Sequence, residues 1–159
     1  MEQLGPTDTV LGDWYANLVY AGRTQVVLAV SDRTLLPIVV PAREARTLVQ
    51  RLGDALEPVL LTIGVPPQIV AAERHAMQWV TLGKTSNRRI LGSLKELAFQ
   101  LEVGLLSSPS KSFLEQSLWL AQTPMKVIDY GSPEDATLAA FAAHQAVTVA
   151  MRARHDPAQ

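Results

Sequence analysis

Residues 13–40 read DWYANLVYAGRTQVVLAVSDRTLLPIVV, and they decide the fold class because they carry the pattern of three consecutive strands. Apolar and polar positions alternate from Trp14 to Tyr20. Residues 24–31 are apolar almost throughout and rich in β-branched side chains, which is typical of a strand covered on both faces. Short turns at 21–23 and 32–33 predict an antiparallel meander. Pro37 cannot donate a hydrogen bond to a neighbouring strand, so the third strand, residues 34–40, is predicted to lie at an edge.

The remainder of the chain is predominantly helical in pattern. A helix is expected to begin at Pro41 and to end at Gly64, with a kink or break near Glu57 caused by Pro58. Residues 77–82 predict a fourth strand. The best amphipathic pattern follows, and four of its apolar positions share one helical face. These are Ile90, Leu94, Leu97 and Leu101.

The sequence therefore predicts an α+β fold with a four-stranded, mainly antiparallel sheet. The sheet would comprise the N-terminal meander and one later strand, with helices packed on one face and a helical C-terminal third whose last helix spans about 133–151. Length and composition indicate a single domain over residues 13–151. The segments 1–12 and 152–159 are expected to be flexible termini.

Composition excludes several classes of protein. The chain has 159 residues, a net charge of −1 and no cysteine, so disulfides, thiolate metal sites and cysteine nucleophiles are ruled out. Its beginning does not resemble a signal peptide, and its apolar runs are too short to span a bilayer, which predicts a cytoplasmic protein without membrane attachment. The three histidines lack the spacing of metal ligands; they are His75, His144 and His155. The sequence contains no catalytic motif, so it assigns no catalytic residues. We therefore expect no metal and no cofactor.

Positive charge gathers in one segment. No acidic residue lies between the five cations Arg74, Lys84, Arg88, Arg89 and Lys95. Several of them precede or begin a predicted helix, where the helix dipole disfavours cations and favours an anion. The pattern predicts an anion-binding or nucleic-acid-binding site formed by Lys84, Asn87, Arg88, Arg89 and Lys95. The alternative is that Arg88 or Arg89 pairs with an acid elsewhere in the fold, as surface arginines commonly do.

The same segment carries a resemblance. Residues 85–94 read TSNRRILGSL, and the preceding helix ends in Leu61-Thr62-Ile63-Gly64-Val65-Pro66. With the β-meander before it, this T-x-N-R-x-x-L-G-S segment resembles a family of small uncharacterised bacterial α+β proteins that are often encoded near plasmid and mobile-element genes. The resemblance covers roughly residues 14–105. It implies a bacterial origin and an α+β domain, and it assigns no chemistry.

Two functional hypotheses follow from these patterns. The first is a non-enzymatic binding or regulatory module of a bacterial cytoplasmic system such as a mobile element, whose partner is a protein or a nucleic acid. The second is an enzyme that acts on a phosphate-bearing or nucleic-acid substrate through the basic strand–loop–helix region, residues 79–95. The alanine-rich C-terminal helix is a candidate dimer or partner surface, although it could equally pack onto its own domain.

Overall fold

The computed structural model of the protein describes residues 9–79, 82–83, 88–129 and 131–154, and it confirms the α+β class. Three strands form an antiparallel sheet: β1 (Trp14–Ala21), β2 (Thr24–Ser31) and β3 (Pro37–Pro41). β1 pairs with β2 from Trp14↔Ser31 to Ala21↔Thr24. The hairpin turn between them uses Gly22 at φ +60°, a conformation that glycine adopts without strain. β3 pairs only with β2, so the edge position predicted from Pro37 is confirmed.

The prediction of a four-stranded, mainly antiparallel sheet is confirmed only in part: in the described part of the chain three strands are antiparallel, and residues 77–79 of the expected fourth strand are not extended. Met77–Trp79 forms a 3₁₀ turn that continues from the preceding helix, and Met77 is buried in the core. Only a two-residue segment, β4 (Leu82–Gly83), reaches the sheet, where it pairs in parallel with Trp14 and Tyr15. The sheet order is therefore β3-β2-β1-β4, and the described residues of β4 pair with the first two residues of β1.

The described residues form five α-helices. They are α1 (Leu48–Ile63), α2 (Pro67–Ala76), α3 (Arg88–Ser107), α4 (Phe113–Leu120) and α5 (Pro133–Arg154). Short 3₁₀ turns lie at Ala45–Thr47 and Lys126–Ile128. The side chain of Ser112 caps α4 in a capping box with Glu115.

Of the kink or break predicted near Glu57, the break is wrong, since α1 continues across Pro58, and the kink stays a prediction. A proline inside a helix costs about 3 kcal/mol because one backbone hydrogen bond is lost. Leu52, Leu56 and Leu60 are fully buried on the same side of α1, and burying each leucine contributes about 1.5–3 kcal/mol, which outweighs that loss. Gly64 ends α1 at φ +110°, as the sequence predicted.

Helices cover both faces of the sheet, so the expectation of helices on one face is also wrong. Along β2, Val26, Leu28 and Val30 pack against α3, whereas Val27 and Ala29 pack against α1 and α2. The helices on both faces explain why β2 is apolar almost throughout. A strand between two helical layers needs apolar side chains in both directions. The predicted burial of α3 is confirmed for Ile90, Leu94, Leu97 and Leu101.

The packed region begins before residue 13, and the last helix continues past residue 151. Leu11 is fully buried in the core next to Trp14. At the other end, α5 extends to Arg154, three residues beyond the predicted end. None of the helices in these ranges is both long enough and apolar enough to cross a bilayer. Residues 1–8 and 155–159, which belong to the predicted flexible termini, lie outside the described residues.

Candidate functional site

The predicted anion site is only partly within the described residues. Lys84 and Asn87 lie outside them. Arg88 and Arg89 are the first two residues of α3 and are exposed, and Lys95 is exposed two turns later. Their spacing places Arg88 and Lys95 on the same side of α3, opposite the buried face, whereas Arg89 points about 100° away. The anion site as a whole stays a prediction.

Arg89 has an acidic neighbour in its own chain. Burial raises the pKa of Asp32, and the nearby charge of Asp13 raises it further. A hydrogen bond from the backbone N–H of Asp13 and the positive charges of Arg33 and Arg89 act against this rise in pKa. The electrostatic field of Arg89 therefore reaches the Asp32 carboxyl, which agrees with the alternative that this arginine serves a local structural purpose.

Arg74, another of the five cations, is held by two acids of α1. Its guanidinium donates to Asp54 Oδ1 at 2.7 Å and to Glu57 Oε2 at 2.8 Å. These bonds join α2 to α1 and neutralise Arg74 locally. Arg74 is thereby removed from the group of cations that the sequence placed together.

A cleft lies between helices α2 and α5. This cleft has a volume of about 510 Å³. Its apolar walls come from Ile69, Ala72 and Ala76 of α2, from Phe141 and Val149 of α5, and from Val10. Its polar rim is formed by Gln68, Glu73, His144, Gln145, Thr148 and Arg152. We call this feature the α2–α5 cleft.

Glu73 anchors the segment before β1 beneath this cleft. Its side chain is buried, with 3% of its surface exposed, and both carboxylate oxygens are occupied. Val10 N–H donates to Oε2 at 2.9 Å, and Leu11 N–H donates to Oε1 at 3.2 Å. Burial raises the pKa of Glu73, while these two bonds and the charges of His144 and Arg33 act to lower it. The carboxylate is thus engaged with the fold, and the cleft's other ionisable side chains are those of His144 and Arg152.

The outer wall of the cleft is formed mainly by the second half of α5, in which none of the described residues is buried. Pro133, Thr137 and Phe141 are the buried residues of α5 among those described, and all lie in its first half. Thr137 Oγ1 donates to Thr34 Oγ1 at 2.9 Å within the core. Beyond Phe141 the described side chains of α5 are exposed or partly exposed, including that of His144.

Comparison with known proteins places the chain in one family. Residues 2–136 match a family model described as Domain of unknown function (DUF6933). The chain belongs to the DUF6933 family. No curated protein and no solved structure matches it.

The matched DUF6933 segment contains one wall of the α2–α5 cleft and leaves most of the other wall out. It contains the sheet and α1 to α4, and it ends at Ala136, in the first turn of α5. The α2 wall therefore belongs to the matched DUF6933 segment, whereas Phe141, His144 and Arg152 lie beyond it. The DUF6933 description carries no statement about mobile elements, so that association stays a prediction.

The α2–α5 cleft was missed at the sequence level. Glu73 stands between Ala72 and Arg74 in a polar stretch, and nothing there distinguishes a buried carboxylate from a solvated one. The small residues Ala72 and Ala76 follow helical spacing, which was a usable signal for a close approach of another element. Which element approaches depends on the packing of α5, some 65 to 75 residues later in the chain.

Proposed function

We propose that the protein is a non-enzymatic binding module, and that the α2–α5 cleft takes up an apolar segment of a partner protein that also carries an acidic side chain. The observation that carries the proposal is the composition of the cleft, whose walls are apolar and whose available charges are cationic. Pockets of this kind bind apolar anchors and use a few polar groups for orientation.

The charge of the cleft favours an acidic group on the partner. Glu73 uses both oxygens to hold the backbone of Val10 and Leu11, so its carboxylate already has its hydrogen-bond donors. Arg152 supplies a positive charge among the lining residues, and the imidazole of His144 adds a further polar group. A carboxylate on the partner would meet Arg152 as a charge-assisted contact.

The second half of α5 offers apolar surface that its own domain leaves uncovered. Val147 is 56% exposed and Val149 is 66% exposed, and Val149 lines the cleft. An amphipathic or extended segment laid into the cleft would cover Val149. Grooves between helices commonly accept partner segments in this way.

The alternative, an enzyme that acts on a phosphate-bearing or nucleic-acid substrate through residues 79–95, has weaker support. One of the cations on which it depends, Arg89, has an acidic neighbour in the same chain, because its charge acts on the carboxyl of Asp32. The observation that still favours it is the shared exposed side of α3 that carries Arg88 and Lys95.

A displayed library of random peptides tests the proposed cleft. The full chain is immobilised and panned, and enriched peptides are synthesised and titrated by fluorescence anisotropy. We expect the enriched peptides to combine apolar residues with Asp or Glu. Val149→Asp and Arg152→Glu are each expected to weaken their binding by at least about tenfold, which corresponds to about 1.4 kcal/mol.

Two matched controls are available outside the cleft. Val127→Asp makes the same change at a valine that is 42% exposed, and Arg154→Glu reverses a charge two residues beyond Arg152. Both are expected to leave peptide affinity within about twofold of the parent. Enrichment of no peptide, or of peptides that bind Val149→Asp as well as the parent chain, would refute the proposal.

A further inference from the structure

The side of α3 that faces away from the sheet carries large apolar side chains. Phe99 is 64% exposed, Val103 is 42% exposed and Leu106 is 59% exposed. Successive residues of an α-helix are about 100° apart around its axis, so Phe99 and Leu106 point within about 20° of each other. Both lie opposite the buried Leu97 and Leu101. We call Phe99, Val103 and Leu106 the outer stripe. Large apolar side chains grouped on a surface mark an interaction site.

The spacing along the outer stripe is that of helices that pair along their length. Gly92, Phe99 and Leu106 recur every seven residues, which is the repeat of paired helices. Among the described residues, no neighbouring element comes within 4 Å of the position that a Cβ of Gly92 would occupy. Gly92 therefore leaves a gap on the same side of α3, as far before Phe99 as Leu106 lies after it. A second helix that carries a leucine at the matching position can fill this gap.

We propose that the outer stripe is the interface of a symmetric homodimer, in which α3 packs antiparallel against α3 of a second copy about a two-fold axis at Phe99. Phe99 then contacts its own counterpart on the axis. Leu106 of each copy fills the gap beside Gly92 of the other, because these two residues are equally distant from Phe99. Val103 adds apolar surface beside the axis.

The charges beside the outer stripe match a second copy of this chain. Lys95 lies four residues before Phe99 and Glu102 lies three residues after it, and both are exposed. Both lie on the same side of Phe99, at about 40° and 60° around the helix axis. The two-fold axis therefore brings Lys95 opposite Glu102 of the second copy, and does so twice. Neither side chain forms an ion pair with another described residue. A symmetric interface must be complementary to itself, and the order of these two charges along α3 meets that condition.

The proposed dimer and the α2–α5 cleft lie on opposite faces of the sheet, since α3 packs on one face and α2 and Phe141 pack on the other. The dimer is therefore independent of the proposed function, and failure of either proposal leaves the other untouched. A single pair of helices is a small interface, so we expect a weak dimer whose dissociation constant lies in the micromolar range.

Sedimentation velocity of the full chain, from low to several hundred micromolar, tests the dimer. The parent chain is expected to dimerise within this range. Lys95→Glu and Glu102→Lys each replace two attractions by two repulsions, and each is expected to weaken dimerisation by about tenfold. The double variant, Lys95→Glu with Glu102→Lys, restores opposite charges across the axis and is expected to recover the affinity to within about threefold of the parent.

Phe99→Asp places two carboxylates on the axis and is expected to leave the chain monomeric throughout the range. Two matched controls lie outside α3. Val147→Asp makes an exposed apolar side chain of α5 acidic, and Arg43→Glu reverses an exposed charge between β3 and α1. Both are expected to leave the affinity within about twofold of the parent. Val147→Asp also tests the C-terminal helix, which the sequence suggested as a dimer surface.

Circular dichroism checks that each variant is folded. A parent chain that stays monomeric throughout the range would overturn the proposal. So would a dimer that keeps its affinity in Phe99→Asp or in both single charge reversals, since its interface would lie elsewhere.

Discussion

Replacing Glu73 with glutamine tests how this buried carboxylate holds the segment before β1. Glutamine has nearly the same size, but only one of its two terminal atoms can accept a hydrogen bond. Either Val10 N–H or Leu11 N–H therefore loses its acceptor in a buried position. Such a loss costs about 1–3 kcal/mol. The substitution also removes the cost of burying an ionised group, so near neutral pH we expect a net loss of about 1–2 kcal/mol in the free energy of unfolding.

The loss should depend on pH in a defined direction. Burial raises the pKa of Glu73 above its ordinary value of 4.5. The folded state therefore holds this proton more tightly than the unfolded state does. The stability that it contributes is complete below pH 4.5 and is lost as the pH rises through the folded-state pKa. Glutamine does not titrate, so the difference between the parent and Glu73→Gln is expected to shrink as pH rises.

Urea denaturation of the parent and of Glu73→Gln at several values between about pH 5 and pH 8 measures both effects. Glu96→Gln is the control, since it makes the same chemical change at an exposed position and should alter stability by no more than about 0.5 kcal/mol. Equal midpoints for parent and Glu73→Gln throughout this range, or a difference that grows with pH, would refute the reasoning.

Two further predictions concern α3. Leu94→Ala should lower the free energy of unfolding by about 2–5 kcal/mol, because Leu94 is buried against the sheet. The control, Glu96→Ala, should change it by no more than about 0.5 kcal/mol. Urea denaturation measures both, and an unchanged midpoint for Leu94→Ala would contradict the packing. If the predicted anion site binds nucleic acid, Arg88→Ala with Arg89→Ala should weaken binding to all sequences alike and flatten the salt dependence by up to about two units. Titrations of labelled single-stranded and duplex oligonucleotides at several salt concentrations measure this, and absence of binding at low salt would eliminate nucleic acid as the ligand.

Local patterns predicted the elements that depend on neighbouring residues. The meander, its hairpin turn at Gly22, the edge position of β3 and the end of α1 at Gly64 each follow from residues close together in the chain. The buried face of α3 was predictable for the same reason, because Ile90, Leu94 and Leu97 share one helical face. Proline, glycine and apolar spacing act over a few residues, so the sequence reports them directly.

Features that depend on distant residues were decided only by the tertiary structure. The run of Met77 to Leu82 is compatible with a strand, yet Met77 is buried in the core within a 3₁₀ turn, and among the described residues after that turn Leu82 and Gly83 pair with β1. Pro58 could not break α1, because leucines on both sides of it pack against the same face of the sheet.

The candidate sites follow the same division. The cations of residues 74–95 were visible as a run, but the sequence could not show that Arg74 reaches Asp54 and Glu57 of α1, or that Arg89 lies near Asp32. The α2–α5 cleft joins residues some 70 positions apart, and it exists only because Thr137 and Phe141 fix the first half of α5 in the core. By itself the sequence determined which residues must be buried. The folded chain decided which surfaces remain available, because exposure is set by whatever packs alongside, and those neighbours come from distant parts of the chain.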